Sequence, residues 1–163
     1  MKTCSSQQTK IVNIFTSWRF VFFLIWKLPM GFFAGLRVKV LDKTQCVVTV
    51  PSNFLNKNPF NSMYFAVQAM AAELSTGALA FLHQNNNNIS MLVTNLESNY
   101  YKKAVTKVRF ICNDGGNIAN ALKKAQETNK AQKCIMISKG YDRSGVCVSE
   151  FKITWSLKKR KQP

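Results

Sequence analysis

Acidic side chains are scarce in this sequence. Its 163 residues hold 7 Asp and Glu against 23 Lys and Arg, a formal net charge of +16 with the single histidine neutral. A field of that size attracts polyanions and phosphate-bearing ligands in general and selects none of them. Nucleic acid, anionic lipid and coenzyme A all satisfy it. Nucleic acid has nothing further behind it, because no helix-turn-helix, zinc finger or RNA-binding aromatic motif is recognisable. With one histidine, no Ser-His-Asp set can be assembled. The cysteines (Cys4, Cys46, Cys112, Cys134 and Cys147) are odd in number, scattered and without a C-x-x-C pair. Neither a disulfide framework nor a zinc site is expected from them, and no metal or cofactor is called for. Cys46, Cys112 and Cys134 sit in apolar, strand-like runs and read as buried reduced thiols of a cytoplasmic protein.

Proline and glycine are also few, 4 and 7, while 47% of the residues are hydrophobic and 12 are Phe. That composition belongs to a folded chain, and the length predicts a single domain over residues 1–163.

A long uninterrupted apolar run is missing as well. Residues 11–28 read IVNIFTSWRFVFFLIWKL, with Arg19 in the middle, Lys27 at the end and Pro29 following. The continuous part, Phe20 to Trp26, falls far short of the ~20 residues of a membrane span, and no small-residue cleavage site follows it. Residues 1–28 are expected to form an N-terminal helical segment, apolar on most sides, with Asn13, Thr16 and Ser17 on its wetter face. Such a helix has to be covered by something. It packs on the domain or a partner subunit, or residues 11–28 make a peripheral membrane contact helped by the basic surface, with a signal or spanning segment as the remaining alternative.

Beyond the Pro29-Met-Gly31 break, residues 36–50 alternate around Asp42-Lys43-Thr44 and predict a hairpin. A polar loop with Pro51 and Pro59 leads to Ser62–His83, which is dense in Ala, Met and Leu. This predicts a helix of roughly 20 residues, apolar nearly all round and therefore buried, with Asn61 or Ser62 as its cap. The Asn85–Asn88 run ends it as a loop tip. Strands are expected in 89–101 and 104–112, a short amphipathic helix in 113–130, and two final strands flanking Asp142-Arg143-Ser144-Gly145. The end of the chain, 158–163, reads as a basic tail. One long helix and about six strands, without βαβ alternation, indicate an α+β architecture with an antiparallel sheet wrapped around the helix.

Glu73 is the one acidic residue in the long helix. An ionised carboxylate in an apolar middle is costly unless paired, hydrogen-bonded or solvated by a cleft, and burial would raise its pKa toward that of a useful general base. It is equally the pattern of a structural carboxylate. Ser75 and Thr76, within a turn of it, are candidates to orient it or simply to bond back to the helix backbone. At the helix start, around Asn61, Ser62 and Met63, free backbone N–H groups can stabilise an oxyanion. Asn58 and Asn61 could hydrogen-bond a carbonyl or a water, or serve as turn residues beside Pro59. His83 is expected to be a dipole partner at the helix end.

The segment NPFNSMYFAVQAMAAELSTG, Asn58 to Gly77, resembles the central-helix signature of an uncharacterised, thioesterase-like branch of the hotdog superfamily. PMGFFAGLRV (Pro29 to Val38) and ITWSLKKR (Ile153 to Arg160) look like the same family, so the resemblance covers about residues 25–160. It implies the hotdog fold, a homodimer whose sheets join edge to edge (with a dimer of dimers open), and an acyl-CoA or acyl-carrier thioester as ligand. In hotdog thioesterases a central-helix Asp or Glu activates water or attacks the thioester carbonyl, and Glu73 matches that role by position. Better-known members often carry His-Gly-Gly in the preceding loop, where this chain has Asn61-Ser62-Met63. The backbone donors survive that change, but the close approach allowed by glycine does not. Two functions therefore stand: an acyl-thioester hydrolase, and a non-catalytic acyl- or acyl-CoA-binding module.

Overall fold

The computed structural model describes residues 6–84 and 88–160. Asn85 to Asn87 of the asparagine run and the last three residues of the basic tail lie outside that description.

The expected N-terminal helix is two helices, α1 (Ser6–Phe15) and α2 (Arg19–Lys27), followed by a short α3 (Pro29–Phe33). Side-chain hydroxyls make the break. The Thr16 hydroxyl donates to the Val12 carbonyl at 2.8 Å, the Ser17 hydroxyl donates to the Ile14 carbonyl at 3.1 Å, and the Arg19 amide donates to the Ser17 oxygen at 3.2 Å. Ser and Thr offer the backbone such alternatives to a continuous helix. Phe20 and Leu24, one turn apart, anchor α2 in the core.

The hairpin β1 (Arg37–Leu41) and β2 (Cys46–Val50) turns where the sequence predicts. The Asp42 carboxylate accepts the Thr44 hydroxyl and the amides of Thr44 and Gln45. Burial works to raise its pKa, but these hydrogen bonds outweigh burial and hold it below the ordinary value. After a single turn of tight helix at Phe54–Asn56 comes α4 (Phe65–His83). Then follow β3 (Ile89–Tyr100), β4 (Val108–Cys112), α5 (Gly115–Thr128), β5 (Gln132–Tyr141) and β6 (Cys147–Lys159).

The six strands form one antiparallel sheet in the order β1-β2-β4-β5-β6-β3, leaving β1 and β3 as its edges among the described residues. Lys158 and Lys159, expected in a tail, continue β6 and pair with Ser90 and Ile89. The alternation is clean: Cys134, Met136 and Ser138 of β5 and Phe151, Ile153, Trp155 and Leu157 of β6 face the core. Gly140 completes that face, because a Cβ there would lie 2.8 Å from both the Phe110 ring and the Ser149 hydroxyl. The sheet wraps α4, which buries Val67, Ala71, Ala72, Ser75, Thr76, Ala78, Leu79 and Leu82. By length and composition alone α4 could cross a membrane, but here it is the core helix. α5 covers the hairpin turn with Gly115 pressed against the Lys43 backbone.

Candidate active site

α4 starts three residues later than the sequence suggests. Its N-cap is Tyr64, which makes no side-chain cap, and the four expected helix-start residues lie in the preceding loop. The Asn58 side-chain oxygen accepts from the amides of Phe60 and Ser62 and from the Ser62 hydroxyl, at 3.0 to 3.2 Å. The Asn61 amide donates to the Asn58 carbonyl at 3.1 Å, and Asn61 itself is left-handed with φ 57°. The Met63 amide donates to the Ala104 carbonyl at 2.7 Å, and the Tyr64 amide to the Asn56 carbonyl at 2.7 Å. The amides of Asn61, Ser62 and Met63 are thus occupied, and Asn58 is a turn residue. The first helical N–H groups without an acceptor among the described residues are those of Phe65 and Ala66, the ordinary orphans of a helix start. They lie beside a pocket of about 360 Å³ whose walls include Ser62, Gln68, Tyr100, Lys102 and Lys103.

Glu73 is not buried. α4 leaves one stripe only half covered, running through Ala66, Met70, Glu73, Gly77 and Phe81 at helical spacing, and Glu73 and Phe81 are exposed on it. Its carboxylate makes no hydrogen bond or ion pair among the described residues. It forms part of the wall of a pocket of about 380 Å³ otherwise lined almost wholly by apolar groups. That volume is in the range of small-molecule sites. Met70, Leu74 and Phe81 come from α4, Phe15 and Phe23 from the N-terminal helices, and Trp155 from β6. Lys27 is the pocket's one cationic side chain.

Ser75 and Thr76 point into the sheet, away from this pocket. The Ser75 hydroxyl donates to the Ala72 carbonyl at 2.7 Å and meets the Ser138 hydroxyl at 2.8 Å. The Thr76 hydroxyl donates to the Glu73 backbone carbonyl at 3.0 Å and accepts from the Trp155 indole at 3.1 Å. They hold the helix turn that carries Glu73 and do not touch its carboxylate. His83, at the far end of α4, bonds the Lys43 carbonyl at 2.9 Å, a tie to the hairpin turn.

The pocket walls from α1, α2 and β6 had no local signal in the sequence, since the N-terminal helices and β6 are both distant from α4 along the chain. The apolar character of residues 11–28 hinted only that something had to lie against them. Among the described residues no three His, Cys, Asp or Glu side chains gather as a metal site would need. Cys46, Cys112 and Cys134 are buried. Loss of hydration pushes the Cys112 thiol up to about 12 and the Cys134 thiol to about 11, from an ordinary 9.0, and raises that of Cys46 too. They are inert core groups at neutral pH.

One long core helix embraced by a six-stranded antiparallel sheet, with a cleft on the helix's open stripe, defines a hotdog-fold protein. The chain matches the family described as a domain of unknown function (DUF4442) over residues 16–157 and belongs to that family. Among solved structures, a protein of unknown function and probable thioesterase from Pseudomonas aeruginosa shares 20% identity, covering 93% of this chain and 95% of that one, with a TM-score of 0.77. A protein of unknown function from Chlorobaculum tepidum shares 18% over 97% and 98%, with a TM-score of 0.76. A thioesterase from Haemophilus influenzae shares 10% over 83% and 86%, with a TM-score of 0.62. At these identities the likeness is one of fold. No curated protein matches the sequence.

Proposed function

We propose that the protein hydrolyses an acyl-CoA or acyl-carrier thioester, with Glu73 as general base and the N–H groups of Phe65 and Ala66 as oxyanion donors. The observation that carries the reading is Glu73 itself, a carboxylate without a partner among the described residues, on the wall of an apolar pocket. Glu73 takes a proton from water, and the oxygen of that water bonds to the thioester carbon. The negative charge that develops on the carbonyl oxygen is held by the helix-start amides. When the C–S bond breaks, the sulfur leaves with its electron pair and takes the proton back from Glu73. The products are a free acid and a thiol.

Glu73 follows Phe65 by eight residues, about 12 Å along the helix axis at ~1.5 Å per residue. One thioester cannot touch both groups of a single chain. A homodimer in which two α4 helices lie alongside and antiparallel brings the Glu73 of one chain to the helix start of the other. The open β3 edge and the small residues Ala66 and Ala69 on α4 suit that arrangement. Lys102 and Lys103, beside the helix-start pocket, are placed to meet nucleotide or carrier phosphates.

The second reading, an acyl-binding module without turnover, rests on the absence of glycine at the helix start. In place of glycines the helix start carries Tyr64 and Phe65, whose ring centroids lie 4.8 Å apart. Thiol release from a panel of acyl-CoA and acyl-carrier thioesters separates the two. Turnover of any chain length is the expected result. Tight binding of a non-hydrolysable acyl-CoA analogue with no thiol released from any substrate would leave only the binding module.

A further inference from the structure

A second surface of the structure, on α2 and α3, is both apolar and basic, and its chemistry does not depend on the thioester reading. α2 buries Phe20 and Leu24 and turns Phe22, Ile25 and Trp26 outward. Trp18, Phe22 and Trp26 are 69%, 61% and 80% exposed, with Trp18 and Phe22 edge to face at 5.5 Å. Met30 and Phe33 of the following α3 are exposed as well. Monomeric soluble proteins rarely leave such a contiguous set of large apolar side chains in water, so the face has an occupant.

Charge decides which occupant. Residues 1–41 hold six basic side chains, Lys2, Lys10, Arg19, Lys27, Arg37 and Lys39, and no acidic one; Asp42 is the first in the chain. Arg19 begins α2 and Lys27 ends it. A second copy laid on this face would bring Arg19 and Lys27 against their own counterparts, with Glu73 in the adjoining pocket the one carboxylate that the pocket lining places near them. An anionic bilayer answers both features at once. At nine residues, about 14 Å long, α2 is too short to cross the ~30 Å hydrocarbon core and suits a helix lying in the headgroup plane. Tryptophans at that depth keep the ring in acyl chains and the indole N–H in the polar layer.

We propose that the α2–α3 face docks the protein onto an anionic lipid bilayer, with Trp18, Phe22 and Trp26 inserted at the interface and Arg19 and Lys27 on the headgroups. The exposed Phe23, Leu28 and Met30 belong both to this end of the molecule and to the wall of the 380 Å³ apolar pocket. Docking thus sets the pocket mouth at the membrane surface.

Sedimentation of the full chain with phosphatidylcholine vesicles, with and without phosphatidylserine, tests the proposal. The expected result is binding that requires phosphatidylserine, weakens with salt and shifts the tryptophan emission to the blue. The triple variant Trp18→Ser/Phe22→Ser/Trp26→Ser alters only exposed side chains outside the pocket and should weaken binding about tenfold or more. Arg19→Glu should weaken the phosphatidylserine-dependent part with every aromatic intact. Three outcomes would overturn the proposal: no binding of the wild type to any vesicle, equal binding by wild type and both variants, or a wild-type dimer that the triple variant dissociates. The last would give the face to a second copy of the chain.

Discussion

The indole N–H of Trp155 donates to the hydroxyl of Thr76 at 3.1 Å, and that hydroxyl donates to the carbonyl of Glu73 at 3.0 Å. This relay fastens the middle of α4 to β6 directly beneath the pocket. Thr76→Val leaves a buried indole donor unsatisfied, which costs about 1–3 kcal/mol, whereas Thr76→Ser keeps the relay and should cost less. Urea unfolding of the two variants measures the difference.

Gly115 is fixed by backbone contact. A Cβ at that position collides with the Lys43 carbonyl oxygen, and the Gly115 amide already donates to the Thr44 carbonyl at 3.1 Å. Gly115→Ala must push α5 off the hairpin turn, and overpacking of this kind costs about 1–3 kcal/mol. Gly116→Ala meets nothing within 4 Å and should be neutral or mildly stabilising in the same thermal-unfolding assay.

The buried thiols set an alkaline limit. Their folded pKa values lie above the ordinary 9.0, at about 11 for Cys134 and about 12 for Cys112. A raised folded pKa gives stability that is fully present below pH 9 and is lost as pH climbs through the folded values. The urea midpoint should therefore fall above pH 9, less steeply in Cys112→Ala. At pH 8 only about one Cys134 thiol in a thousand is ionised. Alkylation of Cys46, Cys112 and Cys134 should accordingly wait for unfolding, as mass mapping of the modified peptides will report.

The apolar pocket should set acyl length. Met70→Trp adds bulk to the wall beside Glu73. It should raise KM for the longest accepted acyl chain about tenfold or more while leaving kcat on the shortest one unchanged. A uniform fall in kcat across chain lengths would mean that the pocket does not hold the acyl group.

Much of this fold could be read from local chemistry. Asp42 to Gln45 and Asp142 to Gly145 mark their turns in the residues themselves, and β5 alternates as the sheet requires, while β1 carries a bulge between Val38 and Val40. The start of α4 could not be read so. Met63 and Tyr64 are drawn out of the helix by the carbonyls of Ala104 and Asn56, and the first of these partners is distant in sequence. The break at Thr16 and Ser17 depends on hydroxyl rotamers that periodicity does not reveal. Glu73 was conspicuous as a lone acid in an apolar helix, but composition cannot say which stripe of such a helix the sheet leaves open. The pocket beside it was legible only in part, because more than half its wall comes from segments with no tie to α4 in sequence.

The central claim is that Glu73 moves the proton. The most direct test is kcat for thiol release by wild type and Glu73→Gln on the best acyl thioester, with matching unfolding curves to show that the exposed substitution leaves the fold alone. A loss of about a hundredfold or more, within the usual reach of a general base, is the predicted result. Equal kcat values in the two proteins would contradict it and remove Glu73 from the chemistry.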